Sequence, residues 1–133
     1  MAVWWFRVLS SMLLLAVAAP LPARAPPPPP GSPEAEELAP FADWLSGLRS
    51  PRTSVRCCDL SDCRLVQYRI KVDYYEAYIG SDSWEGAPDT WLAVPDGVVI
   101  PPARRGPVAV ACWSRHQVPF NRGFLCFAPA AAS

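Results

Sequence analysis

Five cysteines are the residues of this 133-residue chain best placed to do chemistry: Cys57, Cys58, Cys63, Cys112 and Cys126. Thiols can form disulfides, bind soft metals or act as nucleophiles. An odd count leaves one thiol over for reactivity or for a bridge to another molecule. Cys112 and Cys126 fall on the two arms of an expected C-terminal hairpin, so they are expected to face each other. Closing that loop of about 15 residues contributes ~3 kcal/mol in the chain-entropy model. Cys63 is then expected to pair with Cys57 or with Cys58 across the Asp59-Leu60-Ser61-Asp62 turn. Direct bonding of Cys57 to Cys58 would strain a small ring. Two bridges among five cysteines can be drawn fifteen ways, so the sequence does not decide the pattern; the disulfide candidates are Cys58, Cys63, Cys112 and Cys126, with Cys57 the candidate free or intermolecular thiol.

The alternative is a metal or thiol-redox cluster of Cys57, Cys58 and Cys63, completed by Asp59, Asp62 or His116 and suited to a soft ion such as Cu(I). The Cys-Cys-x4-Cys spacing lacks the paired Cys-x-x-Cys of structural zinc sites, and no Cys-x-x-Cys redox motif occurs. A nucleophile pair of Cys112 with His116, the sole histidine, has no evident orienting group. Asp59 and Asp62 suit the capping of turn amides. Glu85 and Asp89 share a loop with nothing to pair them. There is no glycine-rich phosphate loop, nucleophile elbow or HExxH. These patterns predict a protein that is not an enzyme and needs no cofactor.

The elements around the cysteines follow an export plan. Residues 1–25 combine a basic start, the apolar run Met12 to Ala18 and small residues, the order of a secretory signal cleaved near Ala18 or Ala25. The apolar run is short for a bilayer span, so membrane association is expected only if cleavage fails. Residues 26–40 hold five consecutive prolines, read as a stiff polyproline II tether, and then an acidic helix start at Ser32-Pro33-Glu34. Export leads to an oxidising compartment where disulfides persist. Roughly 90 residues remain to fold, a size that benefits from covalent staples.

Residues 41–129 read as a disulfide-stapled domain, mainly β with one short N-terminal helix. Phe41, Trp44, Leu45 and Leu48 recur at helical spacing before Ser50-Pro51. Val66 to Val72 alternates apolar and polar as a half-buried strand. Tyr74 to Ile79 follows across a turn near Asp73, then Thr90 to Val94, Val108 to Trp113 and Gly123 to Ala128. Five short strands with little helix predict a small antiparallel barrel or rolled sheet, SH3-like or OB-like by analogy. Residues 130–133 are expected to fray. If Tyr75, Ala77 and Ile79 face the core, Tyr74 and Tyr78 are exposed. Near Trp84 they would form a contact surface for a glycan or peptide, the alternative being that these rings fill the core. Net charge is zero with scattered arginines, which argues against nucleic acid as a partner.

The ordered elements Asp43-Trp44-Leu45-x-x-Leu48-Arg49-x-Pro51, Cys57-Cys58-Asp59-x-x-Asp62-Cys63-Arg64, Trp91-Leu92-x-Val94-Pro95, Ala111-Cys112-Trp113 and Leu125-Cys126-Phe127 span most of residues 41 to 129. Together they resemble a group of small exported proteins of Gram-negative bacteria that has no assigned activity. Members often carry a histidine before the Asp-Trp pair, where this chain has Ala42. The resemblance implies export and the cysteine framework. The expected function is a periplasmic or secreted domain that binds an envelope protein or small ligand.

Overall fold

The structure is a computed structural model and describes residues 30–57 and 63–132. The expected signal segment, most of the proline run, and Cys58 with Asp59 to Asp62 lie outside the described residues.

Ser32 starts helix α1 (Pro33–Leu38): its Oγ accepts the Ala35 amide at 3.2 Å, Pro33 takes the first turn, and Glu34 and Glu36 sit near the positive end. One 3-10 turn over Ala39–Phe41 reaches helix α2 (Ala42–Gly47), so Pro40 tightens the helix without ending the coil. Leu38, Leu45 and Leu48 are buried, and Phe41 and Trp44 pack beside them. The Trp44 indole donates to the Arg104 carbonyl at 2.9 Å.

Six strands follow among the described residues: β1 (Cys63–Leu65), β2 (Tyr68–Ile70), β3 (Tyr75–Ile79), β4 (Thr90–Ala93), β5 (Val110–Trp113) and β6 (Phe124–Ala128). They form two antiparallel sheets, ordered β1-β5-β6 and β2-β3-β4, and do not close into a barrel. The reason lies in Val98 to Ile100, the run that could have joined them. Turns at Asp96–Val98 and Pro102–Arg104 confine it, and only Val99 bridges to Phe127. The expected Val66 to Val72 strand is likewise split. The Val66 amide bonds to Ala109 of the first sheet, whereas the Gln67 carbonyl accepts from Tyr78 of the second. The β2-β3 hairpin turns at Val72-Asp73, closed by the Lys71 amide on the Tyr74 carbonyl at 2.8 Å.

The result is three layers. The helices cover one face of the β1-β5-β6 sheet through Leu38, Leu45, Leu48, Val110 and Ala128. The β2-β3-β4 sheet covers the other through Ala77, Ile79, Val94, Trp113, Phe124 and Phe127. An ion pair also ties the helices to β1: buried Arg64 Nε lies 3.1 Å from Glu34 Oε1. At the far end, the Ala131 amide donates to the Gly106 carbonyl at 2.9 Å, so the tail expected to fray is held at least to that residue.

Cys112 and Cys126 are opposite each other in the β5-β6 register, yet they do not bond. The bridges among the described residues are Cys63–Cys112 and Cys57–Cys126. Cys112 lies on the central strand with Cys63 opposite it on one side and Cys126 on the other. One sulfur makes one bond. Cys63 stands three steps from the hydrogen-bonded Val66-Ala109 pair, hence at a non-hydrogen-bonded position where facing Cα atoms approach closest. Its Cα lies 4.0 Å from that of Cys112. Cys57, expected as the leftover thiol, is carried to Cys126 by a turn in which its amide bonds the Leu48 carbonyl. The bridges join positions 49 and 69 residues apart. Each loop is worth about 4 kcal/mol in the chain-entropy model, more than the short hairpin bridge would contribute.

Proteolysis without reduction should release peptides linking Cys63 to Cys112 and Cys57 to Cys126; a Cys112–Cys126 peptide contradicts the pairing. Cys112→Ser should lower Tm by roughly 15 °C or more. Gly123 has φ +88°, and a Cβ there would lie 2.3 Å from Trp113 Nε1, so Gly123→Ala should also melt markedly lower in a thermal scan.

Candidate functional site

The β2-β3-β4 sheet has one covered face and one open face, and strand alternation assigns its side chains. Tyr75, Ala77 and Ile79 turn to the core, which puts Tyr74, Glu76 and Tyr78 on the open side, the arrangement read from the sequence. Pairing adds neighbours to them. Arg69 lies opposite Glu76 on β2, while Trp91 and Ala93 of β4 lie opposite Tyr78 and Glu76.

These side chains are coupled. Glu76 makes a hydrogen-bonded ion pair with Arg69 and lies 3.7 Å from Lys71 Nζ. The Arg69 hydrogen bond leads the effects that hold the Glu76 carboxyl below its ordinary value, opposed by desolvation. The same guanidinium stands 4.5 Å from the Trp91 ring centroid, a cation–π distance. Trp91 meets Tyr78 edge to face at 5.6 Å. Trp91 and Tyr78 remain half-buried, with part of each ring in solvent. Trp84 does not join them. It is 2 % exposed and packs on Trp113 in the inter-sheet core, so for this residue the core-filling alternative holds.

At its Tyr74 end the open face runs into a shallow groove of about 570 Å³ lined by Tyr74, Ala93, Val94, Pro95, Asp96 and Arg122. Arg122 Nη1 donates to the Ala93 carbonyl at 3.2 Å and caps part of the β4 edge. Arg122 also holds a left-handed backbone (φ 54°), a conformation that costs a non-glycine residue energy and persists only where its surroundings enforce it. One strip therefore offers Trp91 and Tyr78 at one end, the Arg69-Glu76 pair in the middle, and Tyr74 with Asp96 and Arg122 at the other. Tyr74, just before β3, and Tyr78 within it are four residues apart, or ~13 Å along an extended chain. Arg69, Trp91 and Arg122 were not singled out from the sequence as ligand residues. Only the β3-β4 register reveals Trp91 beside Tyr78, and Arg122 reaches the strip from a distant loop.

The other chemistry read from the sequence is altered by the disulfides. Cys57 and Cys63 are oxidised in this structure, which withdraws two thiolates of the proposed metal set; Cys58 lies outside the described residues. Among the described residues no group of three or more His, Cys, Asp or Glu is placed to hold a metal ion. Cys112 is bonded and buried, so it cannot serve His116 as a nucleophile, and His116 sits in an exposed turn with its amide on Ser114 Oγ. Glu85 lies 3.9 Å from Arg115.

Asp89 closes the β3-β4 loop. Its carboxylate accepts the Ser81 amide at 2.6 Å and the Ser81 hydroxyl at 2.9 Å. The amide bond first, then the hydroxyl, lower its pKa from the ordinary 3.8. A carboxyl depressed on folding stabilises the protein above its unfolded pKa, and that contribution fades as pH falls through the folded value. Asp89→Asn should therefore lower Tm at pH 7, and the gap from wild type should narrow below about pH 4 in melts across a pH series. A gap constant down to pH 2 would assign the effect to shape and not to charge. Comparison with known proteins finds no matching family model, curated protein or solved structure, so the site is defined by its own geometry.

Proposed function

We propose that this chain is an exported, disulfide-stapled binding domain, not an enzyme, that holds an extended glycan or peptide along the open face of the β2-β3-β4 sheet. The carrying observation is the strip itself. Trp91, Tyr78 and Tyr74 present ring surface on a face that no other layer covers among the described residues, with a charged pair between them. Aromatic rings supply stacking area at low entropic cost, and a fixed arginine and carboxylate between them can order hydroxyls or peptide groups. The ring spacing fits an elongated ligand better than a compact one.

Export is supported by the signal-like residues 1–25, by the resemblance to small exported Gram-negative proteins and by the two buried disulfides, which persist in oxidising compartments such as the periplasm or the extracellular space. The partner in that setting is an envelope glycan or protein segment.

The test is binding of soluble peptidoglycan fragments and of an extended-peptide library, read by intrinsic tryptophan fluorescence. Trp91→Ala and Tyr74→Ala should each weaken binding about 5- to 20-fold, consistent with losing ~1–2 kcal/mol of ring contact, with Tm kept within a few degrees. If folded Trp91→Ala binds every probe as wild type does, the strip is not the site.

A further inference from the structure

Zero net charge conceals an uneven distribution. Residues 44–57 and 97–133 contain no aspartate or glutamate. Two turns from these segments meet. The first runs from Ser50 to Arg56 between the bridged residues Arg49 and Arg56, and the Arg52 guanidinium at its tip donates to Asn121 Oδ1 of the second at 3.2 Å. The second, Arg115 to Arg122, joins β5 to β6. Together they carry Arg49, Arg52, Arg56, Arg115, His116 and Arg122. Among the described residues, two acidic groups reach this region from elsewhere: Glu85, 3.9 Å from Arg115, and Asp96 in the groove beside Arg122. The described residues leave a positive excess there.

The same turns expose apolar side chains. Phe120 is 75 % accessible, Val55 63 % and Val118 53 %. An exposed phenylalanine on a frayed loop would mean little, but this loop is fastened from beneath. Trp113 Nε1 donates to the Arg122 carbonyl at 3.0 Å and the Ser114 amide to the Gly123 carbonyl at 2.9 Å. Asn121, Arg122 and Gly123 are all left-handed, with φ of 49°, 54° and 88°. The fold thus holds a strained, anchored loop whose effect is to keep Phe120 in water. Apolar residues displayed among cations fit a surface that is apolar a few ångströms below an anionic plane.

We propose that these paired turns dock on an anionic lipid bilayer, with Phe120 and Val118 entering the interface and Arg52, Arg56 and Arg122 facing the headgroups. A soluble polyanion would use the arginines and leave Phe120 idle, which is why the bilayer is the better match. This surface is separate from the aromatic strip except at Arg122, so a domain seated this way keeps Trp91 and Tyr78 free for a ligand.

The test is hydrogen–deuterium exchange on the full chain with vesicles, because the apolar residues 1–25 would confuse a simple binding assay. Vesicles of equal phosphatidylglycerol and phosphatidylcholine should slow exchange severalfold in residues 50–56 and 115–123. Pure phosphatidylcholine should not, and 1 M salt should erase the effect. Arg52→Glu with Phe120→Ser should abolish this protection while amides of β5 and β6 stay as slow as in wild type. Arg56→Ala alone should raise the anionic-lipid concentration needed for half-maximal protection of these turns roughly fivefold. Absent protection of these turns, or equal protection by zwitterionic vesicles, overturns the proposal. So does protection by dextran sulfate that Phe120→Ser leaves unchanged, which would identify a soluble polyanion as the partner.

Discussion

Strand β5 has no wet side. All four of its residues are buried, with Val110 and Cys112 turned to the helices and Ala111 and Trp113 to the second sheet. A domain of this size rarely buries a strand on both faces, because each face needs a layer and each layer brings its own exposed surface. Here both covering layers are thin: two helices of six residues each and a sheet of three short strands. Neither would be stable alone. Their attachment to β5 and its neighbours is the condition on which the rest of the molecule stands.

The cysteines meet that condition on one side. Cys63 and Cys126 flank Cys112 across the sheet, and Cys57 follows directly on the helix layer and its turn. Cys63–Cys112 staples the edge strand to the centre, and Cys57–Cys126 staples the helical side to β6. The Arg64-Glu34 pair adds a polar tie between the same layers, although a buried ion pair offsets much of its attraction in desolvation. The second sheet has no such staple. It is held by apolar contact through Phe127, which Tyr68 and Tyr75 approach at 5.8 and 5.5 Å, and by the Val99 bridge. That asymmetry bears on function. With both faces of the first sheet consumed by the core, the open face of the second is, among the described residues, the sheet face left in solvent, and the proposed ligand strip lies there.

How much of this could be read in advance follows from which interactions are local. The Ser32 cap, the buried stripe of α2, the turn at Asp73 and the side of β3 that holds Tyr74 and Tyr78 depend on residues within a few positions, and all were legible. The joining of strands into sheets depends on long-range pairing. Val66 to Val72 has perfect alternation, yet alternation cannot reveal that the chain changes sheets at Val66-Gln67. The cysteines show the same limit. The hairpin register placed Cys112 opposite Cys126 correctly, and the bond still went elsewhere, because Cys63 arrives from the other edge of the sheet. Trp84 and Trp91 look equivalent in the sequence; pairing with Tyr78 leaves one half-buried on the open face, and contact with Trp113 buries the other.

The Cys57–Cys126 bridge has a consequence beyond stability. Cys57 ends the arginine-bearing turn, and Cys126 lies in the strand that leaves the Phe120 loop. Bonding them ties the end of one turn to the strand that leaves the other, and the Arg52-Asn121 contact joins the turns themselves. Two flexible loops with separate positive charges would lose entropy on meeting an anionic surface and gain little from it. Two loops already fastened to each other present their charges and Phe120 together, with that ordering cost met when the disulfide formed. The same covalent bond that closes the helix layer over β5 thereby sets the geometry of the exposed cationic surface. A chain oxidised after leaving a reducing compartment would acquire its core and this surface in one step.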